Sequence, residues 1–300
     1  MNTPRFILLL LFVPLCFGFA HCHSEPDCAP ADGQCNPFVV DLLNRVPGGD
    51  PVLKHIYYGV GSSEIWRRTP GGQLTQIQSG LPGLAQIDVH EDVGYIFYAI
   101  DTANGVQRSN LDGSGVITIE NTVNTTPGTI YNPDRDLVFY TVPASNEIRQ
   151  NASSGGSPSV FASATASLLY YDAHRKKIFG GDISGMAIGV VDSDTAAFLA
   201  SYNLTDSPSA IAVDLPPVPY LYYSTGAGGT IRRLNLDDGG VITLVAGLTF
   251  AAGLGLDPYT RNLYFADRNG QTLNVYNLNS GEITLLDSGS QFSSVDLTFE

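Results

Sequence analysis

The chain has 300 residues, with 15 Lys and Arg against 29 Asp and Glu, a formal charge of −14. That balance excludes a nucleic-acid binder built on a basic face, and 7 Glu with 3 Lys are too few of the common helix formers for a helical protein. With 32 Gly, 18 Pro and abundant Asp, Asn, Ser and Thr around short apolar runs, the composition predicts an all-β globular protein with many turns.

At the amino terminus, Arg5 precedes an apolar stretch from Phe6 to Ala20 that ends in small residues. This is the pattern of a secretory signal over residues 1–20, and it is too short for a bilayer span, which takes about 20 apolar residues. No other run is long and apolar enough to cross a membrane, so the sequence predicts a secreted or extracellular protein with no transmembrane segment. Residues 21–53 form a Cys-containing leader. Cys16 leaves with the signal, and Cys22, Cys28 and Cys35 remain. Cleavage after Ala20 leaves an odd thiol, free or paired between chains. Cleavage before Cys22 with acylation of that thiol resembles a bacterial lipoprotein and leaves Cys28 and Cys35 as a pair, although His21 stands where the lipobox has a small residue. His21, Cys22, His23, Cys28 and Cys35 also suggest zinc, but export and the lack of paired CxxC spacing favour a Cys28–Cys35 disulfide.

Further along, an aromatic pair recurs at Tyr57-Tyr58, Phe97-Tyr98, Phe139-Tyr140, Phe179-Gly180, Tyr222-Tyr223 and Tyr264-Phe265, at intervals of 40, 42, 40, 43 and 42 residues. Six repeats of four short strands over residues 54–300 predict a six-bladed β-propeller. In each repeat the first strand ends in an acid or amide: Asp88, Asn132, Asp172, Asp214, Asp257 and, at the carboxyl end, Asp296. The second carries the aromatic pair, whose adjacent side chains point to opposite faces and so pack against both neighbouring blades. The third runs through Ile65, Val106, Ile148, Ile188, Ile231 and Leu273. The small residues of Ala251 to Gly255 suit the crowded axis. The chain enters its first repeat at the second strand and ends on a seventh copy of the first, so residues 292–299 are expected to close the ring as the innermost strand beside Ile56 to Val60. Phe38 to Leu43 is the competing partner for that position.

The run Gly255-Leu256-Asp257-Pro258-Tyr259-Thr260-Arg261-Asn262-Leu263-Tyr264-Phe265-Ala266-Asp267 resembles the class B, or YWTD, repeat of the low-density lipoprotein receptor family, which implies a six-bladed propeller. The likeness covers roughly residues 54–300. Trp of the motif is replaced by Tyr, Phe or Gly, its final Asp persists only as Asp182 and Asp267, and the cysteine-rich modules that flank animal receptors are missing. NHL propellers share similar patterning.

Candidate chemistry is sparse. The six repeat acids and amide could be read as a cation ring, as in calcium-dependent lactonases on six blades. Their recurrence at one repeat position instead predicts turn residues that bond nearby backbone N–H groups. His55, His90 and His174 are scattered, with no nucleophile elbow, so no catalytic or metal residue is assigned. Asp192-Ser193-Asp194 reads as a solvated turn; Arg67-Arg68, Arg175-Lys176-Lys177 and Arg232-Arg233 read as strand ends or ion-pair partners. Asn124, Asn151 and Asn203 head glycosylation sequons. Trp66, the only Trp, aligns with Gln107, Arg149, Gly189, Arg232 and Asn274, so it must be covered, either by Phe38, Val39 and Leu42 or by a partner. The expectation is a non-catalytic binding or scaffold protein, needing no cofactor, whose propeller loops engage a protein or glycan. The alternative is a calcium-dependent hydrolase of the lactonase type.

Overall fold

The computed structural model describes residues 50–101, 105–121 and 127–300. The signal segment, Cys22, Cys28, Cys35, Asn124 and the competing strand at 38–43 lie outside the described residues. The chain divides at Asp50/Pro51, and the second unit holds every described strand. Its first blade takes β1 (Leu53–Val60), β2 (Glu64–Arg68) and β3 (Leu74–Gln78). The second is β4 (Leu84–His90), β5 (Tyr95–Ile100), β6 (Gly105–Asn110) and β7 (Ile117–Glu120). The third is β8 (Thr129–Asn132), β9 (Leu137–Val142), β10 (Glu147–Ala152) and β11 (Ser159–Ser163). The fourth is β12 (Leu168–Asp172), β13 (Lys177–Asp182), β14 (Ala187–Asp192) and β15 (Phe198–Asn203). The fifth is β16 (Ala210–Val213), β17 (Tyr220–Thr225), β18 (Thr230–Asn235) and β19 (Val241–Val245). The sixth is β20 (Ala251–Asp257), β21 (Asn262–Asp267), β22 (Thr272–Asn277) and β23 (Ile283–Ser288). Last comes β24 (Phe292–Phe299), which returns to the first blade in the order β24-β1-β2-β3. The protein is therefore an all-β, six-bladed propeller of four-stranded antiparallel blades.

Six apolar seams hold the blades face to face, and the aromatic pairs build them. Because neighbours on a strand point to opposite faces, the first member of a pair enters the seam with the next blade and the second enters the seam with the previous one. Tyr57 and Tyr98 share one seam, Phe97 and Tyr140 the next, Phe179 and Tyr223 another, then Tyr222 and Phe265, and finally Tyr264 and Tyr58. In the sixth seam Gly180 stands where the second aromatic would, and Phe139 packs edge-on against Phe161 of β11 at 4.6 Å. The third-strand residues Ile65, Val106, Ile148, Ile188, Ile231 and Leu273 are all buried behind these rings. Burial of these side chains, at roughly 25 cal/mol per Å² of apolar surface, is the main force holding blade to blade.

Ring closure follows the expectation from the strand count. β24 pairs antiparallel with β1, with Ile56 opposite Leu297, Tyr57 opposite Asp296 and Tyr58 opposite Val295. The pairing extends to the chain ends, where Val52 and Glu300 exchange backbone hydrogen bonds of 2.9 Å. Closure places β24 in one sheet with β1 and gives the first blade the same four strands as the others, so that β1 is not left as an edge. At the axis, β20 and β24 approach so closely that a Cβ on Gly253 would lie 2.0 Å from the Ser293 carbonyl oxygen.

Candidate functional site

The two ends of the disc differ. One carries the turns after each innermost strand, together with Val52 and Glu300; the other carries the connectors between blades and the turns that follow the aromatic strands. Between them runs a central channel of about 570 Å³. Its lining repeats once per blade, two residues before each repeat acid or amide: Gln86, Ile130, Tyr170, Ala212, Gly255 and Ser294. Gln86 spans the channel from β4 to β12. Its amide Nε2 donates to the Leu169 carbonyl at 2.7 Å and its Oε1 accepts from the Leu169 N–H at 3.3 Å, so both halves of a half-buried amide are paired.

The repeat acids divide into two groups. Asn132, Asp172 and Asp257 each accept backbone N–H bonds from their own turns, from Asp134, from Arg175, and from Tyr259 and Thr260 respectively. Asp214 accepts the Leu215 N–H and is clamped by Arg261 at 2.7 Å, whose other nitrogen donates to the Tyr222 hydroxyl. Asn132, Asp172 and Asp257 thus bond the backbone of their own turns, whereas Asp214 is also held from the sixth blade by Arg261. Asp88 and Asp296 do something else: they bond across blades. Asp296 Oδ2 accepts the Val89 N–H at 2.6 Å while its Oδ1 accepts from Leu297, and Asp88 Oδ2 accepts the Tyr131 N–H as well as lying 3.2 Å from His90 Nε2. Together they tie the innermost strands of the first three blades in sequence. Burial, with the charge of Asp88 next to it, pushes the Asp296 carboxyl well above the ordinary carboxylate range. Burial disfavours a charged His90, but the adjacent Asp88 outweighs it and carries the imidazole up to about 9.

Glu91, in the turn after β4, gathers donors from the closing blade. Its carboxylate takes Tyr57 Oη at 2.8 Å, Thr298 Oγ1 at 2.9 Å, His55 Nδ1 at 2.6 Å and Lys54 Nζ at 2.9 Å. Burial alone would raise its pKa, but these donors overcome it and hold the group at about 2. His55 is thus a structural partner of the clasp, and His90 of the channel carboxylates, while His174 is exposed. The basic spots pair as expected: Arg68 with Asp287, Arg175 with Asp172, Lys176 with Asp194 and Arg232 with Asp206. Asp192 caps its own turn through the N–H groups of Asp194 and Thr195. Of the sequons, Asn151 is buried and donates to the Ile119 carbonyl, which leaves no room for a glycan, whereas Asn203 is exposed.

At the connector end, the channel mouth is rimmed by Pro127, Ile183, Phe250 and Arg268. Arg268 donates to Ser62 Oγ at 2.8 Å, crossing from the sixth blade to the first. Ile183 and Met186 sit in the turn between β13 and β14, 44% and 42% exposed. Sequence reasoning did not single out this pair, because a turn has no periodicity to betray an apolar residue that points outward. Gln86 was missed as well; the available signal was that it is the one amide among its counterparts Ile130, Tyr170, Ala212, Gly255 and Ser294. Trp66 is half-buried against the seam between the last blade and the first, beside Tyr58 and Phe292, with its indole N–H donating to Glu64 Oε2 at 2.7 Å. The expected cover from Phe38, Val39 and Leu42 lies outside the described residues. Among the described residues no group of three or more His, Cys, Asp or Glu is placed to hold a metal ion, and no helix is long and apolar enough to cross a membrane.

The geometry defines a six-bladed β-propeller. No family model matches the chain, and no curated protein sequence does. Among solved structures 1574 chains match, so the architecture is widely shared and does not by itself select an activity. One of them, from a crystal structure of a nidogen/laminin complex, superposes with a TM-score of 0.67 at 15% identity, over 81% of this chain and 97% of that one.

Proposed function

We propose that the protein is an exported, extracellular binding propeller that engages a protein partner through its connector end. The observation that carries this reading is the exposed Ile183–Met186 turn at the channel mouth, whose lining also includes Phe250. Exposed apolar side chains grouped at one end of a deep depression, edged by the charged Asp101 and Arg268, have the composition of a partner-binding surface. The similar solved chain comes from a nidogen/laminin complex, which supports a protein over a glycan as the occupant. The proposed role is non-catalytic and needs no cofactor: both oxygens of Asp296 and Oδ2 of Asp88, carboxylates in the channel lining, are engaged by backbone N–H groups. Acylation at Cys22 would add a lipid tether at the cell surface without changing how the disc binds.

A photo-crosslinking amino acid at position 183 or 186, with position 238 at the opposite end as control, tests the proposal in the protein's native extracellular medium. A discrete protein adduct from 183 and 186 but not from 238 is expected. Adducts of equal yield from both ends, or none from 183 and 186, would overturn it. An adduct whose mass collapses on glycosidase treatment alone would assign the surface to a glycan.

A further inference from the structure

On the outer part of the seam between the sixth and first blades lies a hollow of about 160 Å³, room for several water molecules. Its walls are three aromatic rings, Tyr58, Trp66 and Phe292, with Tyr58 and Phe292 edge-to-face at 5.4 Å. Two carboxylates, Glu64 and Asp287, stand in the same lining. Tyr58 is 2% exposed, yet its hydroxyl makes no hydrogen bond to any described residue; it lies in the field of Asp287, which together with burial pushes it up to about 12. The hydroxyl oxygen is not among the buried polar atoms left without a partner, so it opens onto the hollow, where it is placed to meet an incoming donor.

We propose that this hollow receives a cationic side chain, a Lys ammonium or Arg guanidinium, presented by the protein partner. This deepens the binding reading above and rests on it. Three features select that chemistry. Aromatic faces attract cations through their quadrupole, and Trp does so most strongly. Glu64 spends one oxygen on the indole N–H and keeps the other for an incoming donor. Asp287 is only loosely neutralised from within, by Arg68 at 3.7 Å, so the lining keeps a net negative charge on a molecule that is already at −14. The Tyr58 hydroxyl then accepts from the ligand's N–H. In the other repeats the position of Trp66 holds Gln107, Arg149, Gly189, Arg232 or Asn274, so the aromatic cage is peculiar to this seam.

Because Trp66 is the only Trp, its emission reports on the hollow directly. The full chain is titrated with n-butylammonium chloride, with sodium chloride at equal ionic strength and 1-pentanol as uncharged controls. A saturable change in Trp66 emission with butylammonium alone is expected, weakened fivefold or more by Glu64→Gln and by Asp287→Asn in variants that melt as cooperatively as the parent. No saturable change, or the same response to pentanol, would overturn the proposal. If butylammonium fails while crosslinking from 183 and 186 succeeds, the cage is wrong and the binding reading stands; butylammonium binding without any crosslinked partner gives the reverse.

Discussion

Glu91 shows how much of the molecule's stability is vested in single side chains that join distant segments. One carboxylate serves Lys54, His55 and Tyr57 of β1 and Thr298 of β24, so it fastens the closing blade to its neighbour. Glu91→Gln removes the charge that makes those bonds strong and is expected to cost about 2 kcal/mol at neutral pH, measured by denaturant unfolding. The sign of the pH dependence follows from the depressed pKa. The folded form titrates near 2 against an ordinary value of 4.5, so the stabilisation is fully present above pH 4.5 and is lost as pH falls towards 2. The Gln variant should show a flatter acid limb, and an unchanged one would remove Glu91 from the clasp. His90 works in the opposite sense. Its folded pKa of about 9 lies above the ordinary 6.5, so its contribution is complete below pH 6.5 and fades as pH rises through 9. The groups facing it are Asp88 and Asp92 on its own strand and turn, Asp296 on β24, and the ring of Tyr131 on β8. His90→Asn should abolish the alkaline loss. Neither cluster was legible from the sequence: Glu91 and Thr298 are 207 positions apart, and only the closure of the ring brings them together.

At the scale of elements, the sequence is most readable where one physical demand recurs in every blade. Seams must be filled from both sides, so an aromatic pair appears every 40 to 43 residues, and it marks all six second strands correctly. The position of the repeat acids was equally visible. What could not be read was that Asp88 and Asp296 reach across blades while Asn132, Asp172 and Asp257 cap their own turns, because that depends on which backbone amide lies opposite, not on the residue's type. The terminal strand was foreseen by counting, and its role is open to test. Truncation before Phe292 strips β1 of its inner partner and exposes a long edge, so the shortened chain is expected to lose cooperative unfolding and to aggregate. A truncated chain that melts like the parent would contradict closure by β24. Gly253 makes the same point at the axis: Gly253→Ala places a methyl against the Ser293 carbonyl, where backbone cannot yield as a flexible side chain would, and is expected to cost more than about 3 kcal/mol.

At the largest scale, the propeller of residues 51–300 has unequal ends. The end that carries Val52 and Glu300 is fastened by arginines that bridge blades, Arg175 to the carbonyls of Asp214 and Val218, and Arg261 to the Asp214 carboxylate. The connector end holds the apolar rim and the mouth of the channel, and the cage around Trp66 lies on the outer face of one seam. Since the axial carboxylates are committed to structure, treatment with EDTA should leave both the melting temperature and partner capture unchanged; a calcium-restored loss of either would argue for the hydrolase alternative. The most direct test of the binding account is a hydroxyl-radical footprint of the full chain, free and with the partner recovered by crosslinking. Protection of Ile183, Met186 and Phe250 at the connector end, joined by Trp66 where the partner's cation fills the hollow, is the predicted result. Protection at the opposite end, around Tyr259 and Asp238, with Ile183 and Met186 as reactive as in the free protein, would contradict it.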